Sequence, residues 1–302
     1  MQKYNFKVTR EESEFPLKTT IKKKYRFSSR LMTKIKFQNL IKLNGVAVPG
    51  WVVPSEGDTV SVDLPDESSH FPAEDIPIEP VYEDDDLLII NKHAGVTVHP
   101  TKGHPDHTIA NGIMNYMNKT GSFFKVRFIN RLDMDTSGIL VIGKNSHAQA
   151  ELNKQMMAGT TKKEYIAVAQ GVITEDDFLI DAPIGRPSPD SVARGVLSEA
   201  DGGYPSKTHV RVLERFASST LVSLDLLTGR THQIRVHLSH IGHPLLGDWL
   251  YGGDQSLFPD RQALHACSYE FDHPVTKKRL KAEAQIPSDI LELINTLRSE
   301  SR

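Results

Sequence analysis

A mixed α/β chain in two parts is what the sequence predicts, and three observations predict it. The chain has 302 residues, a length that as a prior corresponds to about two domains. Its charge is segregated: Phe15 to Ser55 carries nine basic residues (Lys18, Lys22, Lys23, Lys24, Arg26, Arg30, Lys34, Lys36, Lys42) and no acid. Asp63 to Asp86 then carries ten acids and no Lys or Arg. Beyond Val81, short apolar runs alternate with segments of helical period, the pattern of a sheet with helices packed on it.

The elements follow in order. Residues 1–64 form a small basic module of the composition that phosphate attraction requires. Pro65, Pro72, Pro77 and Pro80 break the acidic stretch, so 65–80 reads as a linker. Residues 81–302 form the larger domain. Its predicted strands are 86–91, 138–143, 164–169 and 219–227. Ser146 is the expected cap of a helix carrying Ala148, Leu152 and Met156 on one face, with Gly159 as its stop. Thr231 is the expected cap of a second, with Ile234, Leu238 and Ile241 in register and Gly242 and Pro244 ending it. Ser288 caps the last.

Hydrophobic residues make up 38% of the chain; with glycine included, about 45% is apolar, the usual globular range. Neither LLII (87–90) nor GILVIG (138–143) approaches the ~20 residues of a membrane span. The polar start offers no secretion signal. The single Cys267 cannot form an internal disulfide, which fits a reducing cytoplasm. Walker, dinucleotide, HExxH and Gly-x-Ser-x-Gly signatures are all absent. The run Asp133 to Gly138 opens like a calcium loop, but its twelfth position is Lys144 rather than a bidentate Glu. The clusters His93, His99, His104, His107 and His232, His237, His240, His243 lack a completing carboxylate or thiolate, so no metal is expected.

Three segments set a reactive or charged group against an apolar frame. In INRLDMDTSGILVIG (129–143), Arg131 and Asp133 flank a turn feeding a buried strand. Thr136, Ser137 and Gly138 are expected to supply hydrogen bonds to Asp133. In TKKEYIAVAQG (161–171), alternation puts Tyr165 on one face with Ala167 and Ala169, small neighbours that would leave its ring exposed for stacking. In TGRTHQIRVHLSHIGHPLLGD (228–248), Arg235 borders the apolar face, where it can reach a partly buried carboxylate. Taken singly, each reads as ordinarily as a salt-bridged Asp, a core Tyr or a surface Arg.

Together, RLDMDTSG, KKEYIA and GRTHQIRVH…GHPLLGD resemble, in order and spacing, the RluA-like family of RNA pseudouridine synthases. KHAGVTVHP (92–100) and ALHA (263–266) extend the resemblance from about Val81 to Ile286. NGVAVPGWVVPSEGDTVSVDLP (44–65) resembles a degenerate form of the small RNA-binding domain, first known from a ribosomal protein, that precedes many of these enzymes. Two positions depart from the family pattern: Asn130 stands where His is usual, and His93 where Pro is usual. The resemblance implies an α+β fold with a mixed, mainly antiparallel sheet flanked by helices, plus a small N-terminal α/β module. It also implies isomerisation of specific uridines in structured RNA. That reaction breaks an N–C bond and remakes a C–C bond, without redox or group transfer, so no cofactor is needed.

In that setting Asp133 would be the nucleophile or the base, and Arg235 would hold it ionised. Tyr165 would stack on the flipped base or move its proton. Arg131 and Arg230 would contact phosphates or form scaffold ion pairs. Leu264 would wall the pocket, and Lys22, Lys23, Lys24 and Arg30 would bind the RNA backbone. Ribosomal RNA is favoured over transfer RNA because the N-terminal module usually accompanies the former. A monomer without membrane attachment is expected. An RNA-binding protein with lost catalysis is the alternative, opposed by the joint retention of Asp133, Tyr165 and Arg235. A two-carboxylate glycosidase using Asp133 and Asp135 lacks the sugar-platform tryptophans, since Trp51 and Trp249 are the only two.

Overall fold

The structure, a computed structural model, describes residues 3–101 and 103–301. The N-terminal part is β1 (Lys3–Lys7), α1 (Leu17–Tyr25), α2 (Ser29–Phe37), β2 (Ile41–Leu43), β3 (Val46–Ala47) and β4 (Thr59–Asp63). Its four strands run in the order β1-β4-β2-β3. Leu17 and Ile21 of α1, and Leu31 and Ile35 of α2, recur four residues apart, so each helix turns one apolar stripe onto Tyr4, Phe6, Val60 and Val62. The Ser28 hydroxyl accepts from the Leu31 amide and starts α2.

The larger part comprises β5 (Pro80–Glu83), β6 (Leu87–Lys92), α3 (Ile109–Thr120), β7 (Arg127–Phe128), β8 (Ser137–Gly143), α4 (Ser146–Met157) and β9 (Lys162–Gln170). It continues with β10 (Asp177–Asp181), β11 (Ile184–Gly185), β12 (Gly195–Val196), β13 (Lys207–Arg215), β14 (Ser219–Leu226) and α5 (Gln233–His240). Strands β15 (Leu264–Asp272) and β16 (Arg279–Glu283) and helix α6 (Ser288–Glu300) complete it. One sheet runs β10-β13-β14-β9-β15-β8-β6-β5, with β16 on β15 and β7 on β8. Among the described strands of this sheet β15 and β8 alone pair in parallel, so the sheet is mixed and mainly antiparallel, as expected. The four predicted strands are present as β6, β8, β9 and β14.

Helix starts were less legible. The α4 cap is Asn145, whose Oδ1 accepts from the Ala148 amide, rather than Ser146. α5 is entered through His232 in the left-handed region rather than capped by Thr231, and Pro287, not Ser288, precedes α6.

The parallel β15–β8 contact depends on one glycine. Gly138 has φ +116°, and a Cβ there would lie 2.2 Å from the Ala266 carbonyl oxygen. Only a residue without a side chain lets β15 approach the strand that begins just after Asp133.

Residues 65–79 lack regular secondary structure, in keeping with their prolines, yet they are fastened along their length. Ile76 and Ile78 pack onto the main core. The Asn111 side chain donates to the Pro72 carbonyl, and Gly112 of α3 leaves the room that Ile76 needs. The acids are matched rather than mutually repelling: Glu67 pairs with Lys34 and Arg127, Asp75 with Lys119, and Glu79 with His93. The segment is a strap more than a free tether, because its charges find cations on both parts.

A chain beginning at Asp66 and one beginning at Pro80 isolate the strap. The shorter chain exposes what Ile76 and Ile78 cover, a loss of about 2–4 kcal/mol. Its Tm is expected to be lower by on the order of 10 °C in calorimetry; equal midpoints would mean that the strap does not contribute to the core.

Candidate active site

The turn at Asp133 lies between β7 and β8 and closes through the Thr136 amide, which donates to the Asp133 carbonyl. This is a correction to the expected bonding. Thr136, Ser137 and Gly138 do not serve the Asp133 side chain: the Thr136 hydroxyl accepts from Gln262 and the Ser137 hydroxyl bonds His265. Because the segment turns, Asp133 and Asp135 do not alternate along an extended strand either, which removes the geometric basis of the glycosidase reading.

The turn's backbone is gripped from three sides. The buried Lys92 ammonium donates to the carbonyls of Met134 (2.8 Å) and His93 (2.7 Å). Burial pulls its pKa down to about 7, against the opposing pull of Asp135 and Asp133. Arg261 is buried, paired with Asp289 of α6 at 2.7 Å, and donates to the carbonyls of Asp135 and Leu264 at 3.3 Å each. Asn130 accepts from the Val141 amide and donates to the Ile139 carbonyl, clamping the turn's entrance to β8. An amide donates and accepts at once, so Asn130 does here a two-sided job with the strand backbone. His93, the other departure, is an exposed partner of Glu79 at 2.8 Å.

Arg235 comes from the first turns of α5, which buries Ile234, Val236 and Leu238 alongside it. Its Nε and Nη2 grip Asp248 at 2.7 and 2.8 Å, a bidentate fork on a fully buried carboxylate. The remaining Nη1 lies 3.4 Å from Asp133 Oδ2. Burial works against the charged guanidinium, but Asp248 and Asp133 more than offset it and hold Arg235 more firmly protonated than a free arginine. On the other side of Asp133, His232 Nε2 stands 3.9 Å from Oδ1. Its Nδ1 bonds the Tyr251 hydroxyl at 2.8 Å, and the Tyr251 ring lies under Arg235 at 5.0 Å. Burial, opposed by Asp133 and reinforced by Arg235 and Arg194, pulls the His232 pKa below its usual value.

Tyr165 requires a second correction. Its ring is not exposed: only 6% of the residue is accessible, within the main core beside Leu132, Ile234 and Leu264. Strand β9 is central, flanked by β14 and β15, and the small Ala167 and Ala169 let neighbouring chain close over it instead of leaving a platform. The hydroxyl makes no hydrogen bond among the described residues, yet it is not a sealed-in unpaired atom. Burial, then the Asp133 charge, pushes its pKa up, so it stays a neutral phenol. Leu264 is 4% exposed and pairs in register with Ala167, next to the Ala266–Tyr165 pair. Asp133, Tyr165, Arg235 and Leu264 thus share one neighbourhood.

The other candidates do not converge there. Arg131 is exposed at the turn's entrance, and Arg230 lies over the Tyr204 ring with Nε 3.4 Å from the Pro205 carbonyl. Lys22 bonds Ser29, Lys23 pairs with Glu11 and Lys24 with Glu12, all within the N-terminal module. Arg30 is exposed on α2. No residue pattern in the sequence marks Lys92, Asp248 or Arg261 as part of the site. Asp248 closes the GHPLLGD run, but nothing in the spacing says which cation it meets. Several histidines are satisfied by the fold: His237 bonds Thr208 and the Ala182 carbonyl, and His243 the Gln170 carbonyl.

A family model described as RNA pseudouridylate synthase matches residues 86–240. The chain is 41% identical over 262 residues to a Bacillus subtilis protein named uncharacterized RNA pseudouridine synthase YlyB, covering 85% of this chain and 86% of that one. It is 40% identical over 286 residues to a Pseudomonas aeruginosa protein named ribosomal large subunit pseudouridine synthase D, covering 90% and 88%. The solved human RNA pseudouridylate synthase domain containing 1 superposes with TM-score 0.56 at 26% identity, covering 76% of this chain and 97% of that one. With a matched sheet, a matched family model and relatives spanning most of both lengths, the chain belongs to the RNA pseudouridine synthases and is an isomerase of that family.

Proposed function

We propose that this enzyme converts uridines of ribosomal RNA to pseudouridine, with the Asp133 carboxylate starting the cleavage of the glycosidic bond. The observation that carries the reading is the ion pair at Asp133. A carboxylate in a rigid turn faces one guanidinium nitrogen whose other donors are committed to Asp248. The pairing fixes the direction of the carboxylate oxygens, the orientation that attack as a nucleophile or proton abstraction as a base requires. Ribosomal RNA is favoured because relatives of matching length carry that substrate in their names.

The balance of the reaction suits such a site. The bond from uracil N1 to ribose C1′ breaks, the base turns, and C5 bonds to C1′. C5 then loses a proton and N1 gains one, so nothing is oxidised and no group leaves. The target uridine must first be unstacked, at a cost of a few kcal/mol. Leu264, Leu132 and Ile234 supply an apolar wall to receive it. With its ring buried, Tyr165 contributes its hydroxyl edge rather than a stacking face. In this reading that hydroxyl relays the C5 proton.

Asp133→Asn keeps size and removes charge. It is expected to reduce pseudouridine formation by at least 10³-fold, as loss of a nucleophile or base does, while RNA affinity stays within a few-fold. Product counted by mass spectrometry on an unmodified ribosomal RNA transcript tests this, and appreciable turnover would sink the assignment.

Tyr165→Phe preserves packing and deletes the hydroxyl. If the hydroxyl moves the C5 proton, the variant cleaves and rejoins the base but stalls before product release. Deuterium at C5 should then wash out slowly in single-turnover measurements. Normal multiple turnover would reduce Tyr165 to a packing residue.

A further inference from the structure

Two side-chain nitrogens meet the Asp133 carboxylate among the described residues, one at each oxygen. Arg235 Nη1 stands 3.4 Å from Oδ2, and His232 Nε2 stands 3.9 Å from Oδ1. The reaction as described gives a task to the arginine and none to the histidine. Yet His232 keeps a φ of +57°, the left-handed region in which a residue other than glycine is uncommon. Only 14% of its side chain is exposed.

The imidazole is fixed from its other edge. The Tyr251 hydroxyl accepts from the Arg194 amide at 2.8 Å and lies 2.8 Å from His232 Nδ1. Burial pushes the Tyr251 pKa up, so the phenol keeps its proton. Among the described residues Nδ1 is the one acceptor within reach of that proton. Burial also works against the charged form of the imidazole. With Nδ1 accepting, the single N–H of the neutral ring sits on Nε2, the nitrogen directed at Asp133. The two rings meet edge-on with centroids 5.7 Å apart. The Ser239 hydroxyl of α5 donates to the Tyr251 carbonyl at 3.0 Å, which anchors Tyr251 to the helix that carries Arg235.

We propose that His232 is a positioning residue for Asp133: Tyr251 holds its imidazole in the Nε2–H tautomer, and that N–H closes on Oδ1 when substrate fills the site. The inference rests on the reading of Asp133 as the group that starts cleavage. A donor on one oxygen leaves the carboxylate free to turn about its Cβ–Cγ bond; a second donor on the other oxygen stops that rotation. At 3.9 Å the contact is too long for a hydrogen bond, and bonds of this kind commonly tighten only once substrate is bound. The relay begins at Arg194, where the loop from β11 reaches β12. That loop is thereby tied, through two side chains, to the Asp133 carboxylate.

The test uses the full chain and an unmodified large-subunit ribosomal RNA transcript. His232→Leu removes the ring and should lower kcat about 10–100-fold with KM held within about twofold, as loss of orientation does. His232→Gln keeps an N–H at similar reach and should recover most of that loss. Tyr251→Phe keeps the ring under Arg235, deletes the hydroxyl and should lower kcat about tenfold. In the His232→Leu background the same change should cost nothing further, because the hydroxyl acts through the imidazole. His240→Gln, an exposed histidine at the end of the same helix, should match the unsubstituted chain. Nitrogen NMR of histidine-labelled protein reads the tautomer without any turnover: His232 should carry its proton on Nε2, and Tyr251→Phe should yield a mixture. A ring protonated on Nδ1, additive losses in the double variant, or a Gln variant as slow as the Leu variant would overturn the proposal. If Asp133→Asn is inactive while a folded His232→Leu keeps its kcat, the positioning role alone fails. If Asp133→Asn turns over, both readings fail.

Discussion

The buried fork between Arg235 and Asp248 is the interaction on which the site depends. A guanidinium in the interior is tolerated only with a close carboxylate and satisfied donors, and Asp248 supplies both by taking Nε and Nη2. Breaking such a pair costs about 3–5 kcal/mol, because it strands a buried charge. What remains is a single nitrogen, Nη1, held on a rigid helix and facing Asp133. The position of that nitrogen, more than its charge, distinguishes the arrangement from a flexible surface ion pair, which contributes little.

The turn carrying Asp133 is held with comparable care through its backbone. Lys92 from the end of β6 and Arg261 from the approach to β15 each donate to a carbonyl of residues 134–135, while Asn130 locks the entrance onto β8. Carbonyl contacts constrain φ and ψ of the turn directly, while the Asp133 carboxylate itself is met by Arg235 and His232. Gly138 completes the frame by letting β15 come close. The site thus draws on elements spread from Lys92 to Asp289, which explains why so much of the sheet must be intact before Asp133 is placed.

The strap, with the Tyr4–Asp86 hydrogen bond, the Phe27–His147 contact and the packing of Val275 on the module core, gives the basic module a defined attitude towards that frame. Glu67, Asp75 and Glu79 pair with cations on either side, so a segment whose composition resembles a tether becomes part of the packing.

Much of this was legible in the sequence. Strands β6, β8, β9 and β14 are short apolar runs whose burial follows from composition, and Asp133, Tyr165 and Arg235 stand in motifs long enough to carry a family resemblance. Local chemistry also marked helices α4, α5 and α6, though it misjudged their caps by a residue: Asn145 caps α4, and α5 and α6 start from His232 and Pro287 without a side-chain cap. What pattern could not reveal is who meets whom. Alternation along β9 put Tyr165 beside small residues, but whether such a face stays open depends on what packs over it. Here the neighbouring chain closes on Ala167 and Ala169 and buries the ring. Likewise Asp248 and Lys92 are one acid and one base among many until the fold sets them against Arg235 and the Met134 carbonyl. Residue identity and short-range period determine which segments become strands and helices. Pairing between groups more than a hundred residues apart, as between Arg235 and Asp133, is decided only when the sheet closes and selects which charges are buried together.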